Sequence, residues 1–217
     1  FSCRENRRVV TLKINHGKSE VFNGHGTQCC VDFLRGGTGD GFVEENVEFA
    51  RKQIKNIKWN HDVGFMIYCS FGNGLRLTGD PEYKEVIVEA ARSLSTRFRP
   101  VAGIIQSWDV DRGWISERGW ECPVIIDNMM NLELLFAATR LSGDSTFYKV
   151  AVSHVDRTMK EQYRPDGSCY HVVDYSMKDG SVRNRHTTQG YAHESAWSRR
   201  QAWGIYGLML CYRETSC

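Results

Sequence analysis

The sequence predicts an all-α fold of stacked helical hairpins. Three observations lead there. Apolar segments of helical length alternate with amphipathic ones, a Gly-Asp pair separates the two, and the whole unit recurs. The first copy runs from Asp62 through Val63, Gly64, Phe65 and Met66 to Arg76-Leu77-Thr78-Gly79-Asp80. The second runs from Asp127 through Asn128, Met129 and Met130 to Arg140-Leu141-Ser142-Gly143-Asp144. The offsets from Asp to Gly are 17 and 16. Stacked hairpins with an apolar inner ring make either an α-solenoid or a closed α/α toroid.

The elements follow in order. Val43, Val47, Ala50, Ile54 and Ile57 step by three and four along one face, as an amphipathic helix does. Residues 62–77 are apolar nearly all round and predict a buried inner helix. Gly79 suits a left-handed helix end, Asp80 an N-cap and Pro81 the first helical position. Residues 81–98 then form an outer helix with a charged face. The same pattern repeats as an inner helix over 127–141, a Gly143 stop, an Asp144 cap and an outer helix over 145–162. A third inner helix spans 199–212 and carries Trp203, Ile205, Tyr206, Leu208, Met209 and Leu210. By alignment of the repeats, Arg199 falls where Asp62 and Asp127 stand.

Two long connections, about residues 99–126 and 163–198, hold Trp108, Trp114, Trp120, Trp197, His171 and His186. Loops gathered at one end of a rigid scaffold commonly carry function. Residues 168–174 alternate and are β-rich, and Lys178-Asp179-Gly180 is a turn signal, so a small β-hairpin is expected there.

Composition narrows the function classes. The chain has 217 residues, 41% hydrophobic and 25% charged, with net charge +2. Lys and Arg alternate with Asp and Glu, which argues against a nucleic-acid or membrane partner. No apolar run reaches bilayer length. None of the eight cysteines forms a C-x-x-C pair, so no zinc or redox site is expected and the thiols are expected to be mostly free. The Gly-rich stretch 36–41 is not followed by Gly-Lys-Ser/Thr, and no Gly-x-Ser-x-Gly elbow exists. Residues 1–40 show no sustained period and form an atypical N-terminal segment, so the helical domain is taken as 41–217. Phe1 is not Met, and the natural start is expected to precede it.

The candidate chemistry centres on Asp62 and Asp127. Inner helices of such a stack run in one direction, so the repeat brings both carboxylates and Arg199 to one rim. The plain alternative is that both are N-caps. A carboxyl in Val124-Ile125-Ile126-Asp127-Asn128-Met129-Met130 loses hydration, which favours the protonated form, while a helix N-terminus favours the charged one. That opposition suits proton transfer, and two carboxylates at one rim suit glycosidic chemistry. Trp197, Arg199 and Trp203 cluster at the third inner helix. Indole faces receive sugar rings and a guanidinium pairs with carboxylates. Trp203 as core and Arg199 as a solvated charge is the competing reading.

These residues resemble the unsaturated glucuronyl hydrolases, glycoside hydrolase family 88. The matching stretches are Asn60-His61-Asp62-Val63-Gly64-Phe65-Met66, Ile105-Gln106-Ser107-Trp108, Pro123-Val124-Ile125-Ile126-Asp127-Asn128-Met129-Met130-Asn131-Leu132, Tyr170-His171-Val172-Val173-Asp174, and Gln189-Gly190-Tyr191 through Trp203. The resemblance implies an (α/α)6 toroid that removes a terminal 4,5-unsaturated glucuronic acid from lyase-generated oligosaccharides by vinyl-ether hydration. By it, Asp127 matches the general acid/base and Asp62 the second essential carboxylate. His171 and Gln189 match sugar-binding positions, Trp108, Trp197 and Trp203 the aromatic walls, and Arg199 a pocket residue near the uronate. It implies no metal or organic cofactor, an unsaturated uronyl oligosaccharide of glycosaminoglycan type as partner, and a bacterial cytoplasmic or periplasmic setting.

This chain departs from the family pattern in several places, among them a stretch over 109–121 a few residues longer than usual. Residues 1–40 lack the early Trp-Thr-x-Gly-Phe pattern, Thr188 stands where the family has His, and His193 where it has Asp. The chain stops at Cys217 where a fourth Gly-Asp turn is expected, so about half the ring is expected within it. A binding-only fragment and a relative of the unsaturated rhamnogalacturonyl hydrolases are the alternatives.

Overall fold

The structure, a computed structural model, describes residues 61–216. The expected N-terminal segment 1–40 and the helix over 43–57 lie outside the described residues. The rest is a series of helical hairpins with small sheets in the connections. Inner helix α1 comprises Val63–Ile67, a π-helical stretch Tyr68–Gly72, and Asn73–Thr78. The sequence predicts an unbroken helix here. Ser70 Oγ and Asn73 Nδ2 instead donate to carbonyls of the preceding turn, at 3.0 and 2.9 Å, and compete with the regular ladder.

Gly79 ends α1 at φ 72°, and the Asp80 carboxylate accepts the Glu82 N–H to open α2, Pro81–Ser95. The second hairpin repeats these contacts. Gly143 ends α3, Leu132–Ser142, at φ 77°, and Asp144 caps α4, Ser145–Glu161, through Thr146 N–H. The third inner helix is α5, Ser198–Thr215. The helix ends at the two Gly-Asp turns agree with the sequence reading to within a residue, and the turn chemistry is the reason.

The sheets add to the expected hairpin. β1 (Phe98–Arg99) pairs with β2 (Ile104–Ile105), and β3 (Pro123–Ile125) pairs with β4 (Val172–Tyr175), which pairs with β5 (Val182–His186), all antiparallel. The β4–β5 hairpin is the predicted one. β3 joins it through Pro123-Val124-Ile125, an apolar run too short to separate from the adjoining helix by periodicity.

The main core lies between α1, α2, α3 and α4. Val86, Ile87, Leu94, Met129, Leu132, Leu134 and Leu135 are fully buried there, each stabilising by about 1.5–3 kcal/mol relative to exposure. Ile205, Tyr206 and Met209 on α5 are exposed, and the buried stripe is Arg200, Gly204, Gly207, Leu210 and Cys211. Small residues on that stripe let α5 approach the neighbouring turn closely. Among the described residues, Cys122, Cys169 and Cys211 are free thiols, and no helix is long and apolar enough to cross a membrane.

His154 on α4 is wholly buried and its Nδ1 accepts the Ile105 N–H at 3.0 Å. Burial pushes it down to about 3. Its folded value lies below the unfolded one, so its stabilising contribution is full above about pH 6.5 and is lost as pH falls toward 3. Chemical denaturation should show stability falling as the pH drops from about 6.5 toward 5. His154→Gln should flatten that dependence.

Candidate active site

Asp127 owes its place to a change of backbone. β3 ends at Ile125, whose extended conformation turns into the 3-10 helix Ile126–Asn131 before α3 begins. Ile126 N–H donates to the His171 carbonyl at 3.1 Å, so the sheet fixes both Asp127 and His171. The sequence predicts that Asp127 heads a single helix over 127–141. The structure puts it in the first turn of the 3-10 segment, with Ile125 in the cap position. Asp62 does hold the N-cap position of α1, yet it makes no side-chain cap hydrogen bond. Neither carboxylate is spent on capping, unlike Asp80 and Asp144.

The 3-10 turn is clamped from both sides. On one side, a Cβ at Gly64 of α1 would lie 2.7 Å from Asn131 Cβ, and Phe65 N–H donates to Asn131 Oδ1 at 2.6 Å. On the other, a Cβ at Gly207 of α5 would lie 2.4 Å from Met129 Cβ. Beneath the turn, Ser107 Oγ accepts from Ile125 N–H at 2.9 Å, and Asn128 Nδ2 donates to the Ile105 carbonyl at 2.6 Å and to Ser107 Oγ at 3.1 Å. These buried polar groups satisfy one another and leave the turn one arrangement.

The same Ser107 reaches the other carboxylate. His61 is buried, and its Nδ1 lies 2.8 Å from the Ser107 carbonyl, so Nδ1 carries the proton. Nε2 faces Asp62 Oδ1 at 3.2 Å, a contact that is attractive when one proton sits between the two groups. Burial pushes His61 down, against the charge of Asp62. The Asp62 side chain keeps 44% exposure and that of Asp127 only 12%, so two carboxyls of one chemistry sit in different environments.

The remaining predicted residues join this pair. Trp108 packs edge-on to His61 at 6.2 Å and stacks on Trp120 at 6.3 Å. The Arg199 guanidinium lies over Trp197 at 4.3 Å and over Trp203 at 5.5 Å, and its Nη2 donates to Gln189 Oε1 at 3.2 Å. His171 packs against Trp197 at 5.8 Å. Its Nδ1 accepts the Thr188 N–H at 3.1 Å, which leaves Nε2 as the donor. Burial, helped by Arg199, pushes His171 down to about 4.

The residue that links the two halves is one the sequence reading did not single out. Arg200, not Arg199, pairs with the Asp127 carboxylate. It also donates to Gln189, and its guanidinium lies over Trp197 at 4.8 Å and Trp203 at 5.2 Å. Asp62 lies within its electrostatic reach. Burial pushes Arg200 down to about 9, still a cation at neutral pH. The stripe of Gly204, Gly207 and Cys211 marks the buried face of α5 and was the signal that places Arg200 on it. Among the described residues, no group of three or more His, Cys, Asp or Glu is placed to hold a metal ion.

Several known proteins are similar to this chain. A curated unsaturated glucuronyl hydrolase of Formosa agariphila is 48% identical over 183 residues, 82% of this chain and 44% of that protein. The chain belongs to the unsaturated glucuronyl hydrolase family. An unsaturated chondroitin disaccharide hydrolase of Streptococcus agalactiae is 36% identical over 71% of this chain and 38% of its own length. The crystal structure of an unsaturated glucuronyl hydrolase specific for heparin superposes with a TM-score of 0.73 at 38% identity, covering 88% of this chain and 50% of that one. The helical hairpins therefore form part of the family's (α/α)6 toroid. The chain spans about half the length of the relatives it matches. No protein-family model matches it.

The clamp gives a stability prediction. Gly207→Ala places a methyl against Met129 and should destabilise by about 1–3 kcal/mol, read by urea denaturation. Exposed Ala202→Gly, at the start of the same helix, should cost no more than about 1 kcal/mol.

Proposed function

We propose that this chain carries the catalytic carboxylates of a hydrolase that removes a terminal 4,5-unsaturated glucuronic acid from lyase-generated oligosaccharides. One observation carries the proposal. Asp127 is joined through Arg200 to Gln189, Arg199, Trp197, Trp203 and His171, and Asp62, beside His61 and Trp108, lies within electrostatic reach of the same Arg200. A planar unsaturated ring suits indole faces, and its carboxylate suits a guanidinium.

In this reading Asp127 donates its proton to C4 of the C4=C5 bond, and positive charge develops at C5 and the ring oxygen. A water adds to C5 and returns its proton to the Asp127 carboxylate. The hemiketal then opens at the bond between C5 and the ring oxygen, giving a ketone at C5 and a hemiacetal at C1. Collapse of that hemiacetal releases the sugar. Asp62 orients ring hydroxyls, and His61 shares a proton with it and holds its orientation. His171 donates from Nε2, and Gln189 offers its carboxamide to the sugar. Trp108, Trp197 and Trp203 wall the ring, and Arg199 receives the uronate. No step needs a metal or organic cofactor. The relatives named for chondroitin disaccharide and for heparin favour a glycosaminoglycan-type oligosaccharide as substrate.

The test follows the ultraviolet absorbance of an unsaturated uronyl disaccharide. Asp127→Asn should lower kcat by a factor of about 10² or more, with binding retained by titration. Equal decay in wild type and Asp127→Asn contradicts the assignment, and binding without decay in both indicates a carbohydrate-binding role.

A further inference from the structure

Arg200 performs no step in the reaction just described, yet it stands at its centre. It is buried on the α5 stripe, 3% exposed. Its guanidinium touches the Asp127 carboxylate and the Gln189 carboxamide and lies across Trp197 and Trp203. Those four are the groups the proposed function assigns to the acid, the sugar contact and the aromatic walls. A side chain that meets all of them holds the space a sugar ring would need.

The electrostatics point the same way. A general acid must hold a proton before the reaction starts, and a guanidinium in contact favours the ionised carboxylate. Of the other charged and titratable groups around the pair, the Asp62 carboxylate opposes this, and it sits at the solvent edge with 44% exposure. Arg199 from the same helix adds a second cation through Gln189, Asp62 and His61 from the start of α1 face Arg200, and His171 is held neutral by burial. Dispersal of the Arg200 charge into water is blocked by its burial.

We propose that Arg200 is an internal occupant of this site: it holds Asp127 ionised and fills the slot between Trp197 and Trp203, restraining both proton donation and ligand entry. The inference rests on the reading of Asp127 as the acid. Arg200 acts through Asp127 and through space, so it is a restraining residue and not a catalytic one.

Two readouts on the full 217-residue chain test it. The first is infrared spectroscopy of the carboxyl groups without ligand, with the Asp127 band identified by its loss in Asp127→Asn. Over roughly pH 4–6, where ordinary carboxyls begin to take up protons, the protonated Asp127 band should be absent in wild type and in Arg200→Lys. It should appear in Arg200→Gly. The second is titration with an unsaturated uronyl disaccharide, which Arg200→Gly should bind at least about tenfold more tightly than wild type. Arg200→Gln, neutral and of similar size, should show the first change without the second, and it serves if the glycine variant does not fold. An Asp127 band that is the same in wild type and the neutral variants overturns the inference whatever the disaccharide does. Equal or weaker binding by folded Arg200→Gly overturns the occlusion. A band that appears while no variant binds the disaccharide supports the restraint on Asp127 and contradicts the proposed substrate.

Discussion

The contact on which the rest of the site depends is the clamp around the 3-10 turn Ile126–Asn131. A helical turn that carries an acid into an apolar interior must be held on all sides, because the carboxylate itself favours water. Gly64 and Gly207 make that possible by removing the side chains that would keep α1 and α5 away. Ser107, Asn128 and Asn131 then satisfy the polar groups exposed by the change from strand to 3-10 helix. The three inner elements meet at this turn, and the candidate residues they carry meet with them.

The clamp also explains the electrical asymmetry of the site. Close approach buries Arg200, His61 and His171 and costs each of them solvation, which shows as values pushed below their usual ranges. Asp62 sits at the outer edge and keeps its water contact, while Asp127 sits further in against a guanidinium. Two carboxyls in register along a repeat thus acquire different surroundings. A symmetric repeat becomes an asymmetric site because the third inner helix brings arginines where the first two bring acids.

Much of the scaffold was legible in the sequence. The Gly-Asp turns at Gly79-Asp80 and Gly143-Asp144 carry their mechanism in their residue types, and the hairpin bounds followed from them. The candidate residues were legible because the repeat register puts Asp62 and Asp127 at equivalent positions, and the resemblance supplied the sugar-binding set. Among the features that were not, three have clear physical reasons. β3 is three residues long and merges with the apolar run behind it, so its period is unreadable. The π-helical stretch in α1 depends on which carbonyls Ser70 and Asn73 reach, a choice made in three dimensions. The role of Arg200 was hidden because apolar content, by which α5 is read, does not point to a buried arginine. The face that packs is instead the one with glycines, and closeness of approach decides it.

The account stands or falls on whether the clamped turn and the start of α1 form a single binding site. A crystal structure of the Asp127→Asn chain with an unsaturated uronyl disaccharide measures this directly. The account predicts the unsaturated ring between residues 62 and 127, with its C4 facing the residue 127 side chain and its plane against the indoles of Trp197 or Trp203. A ring bound elsewhere, or side chains at 62 and 127 that contact different molecules, would contradict it.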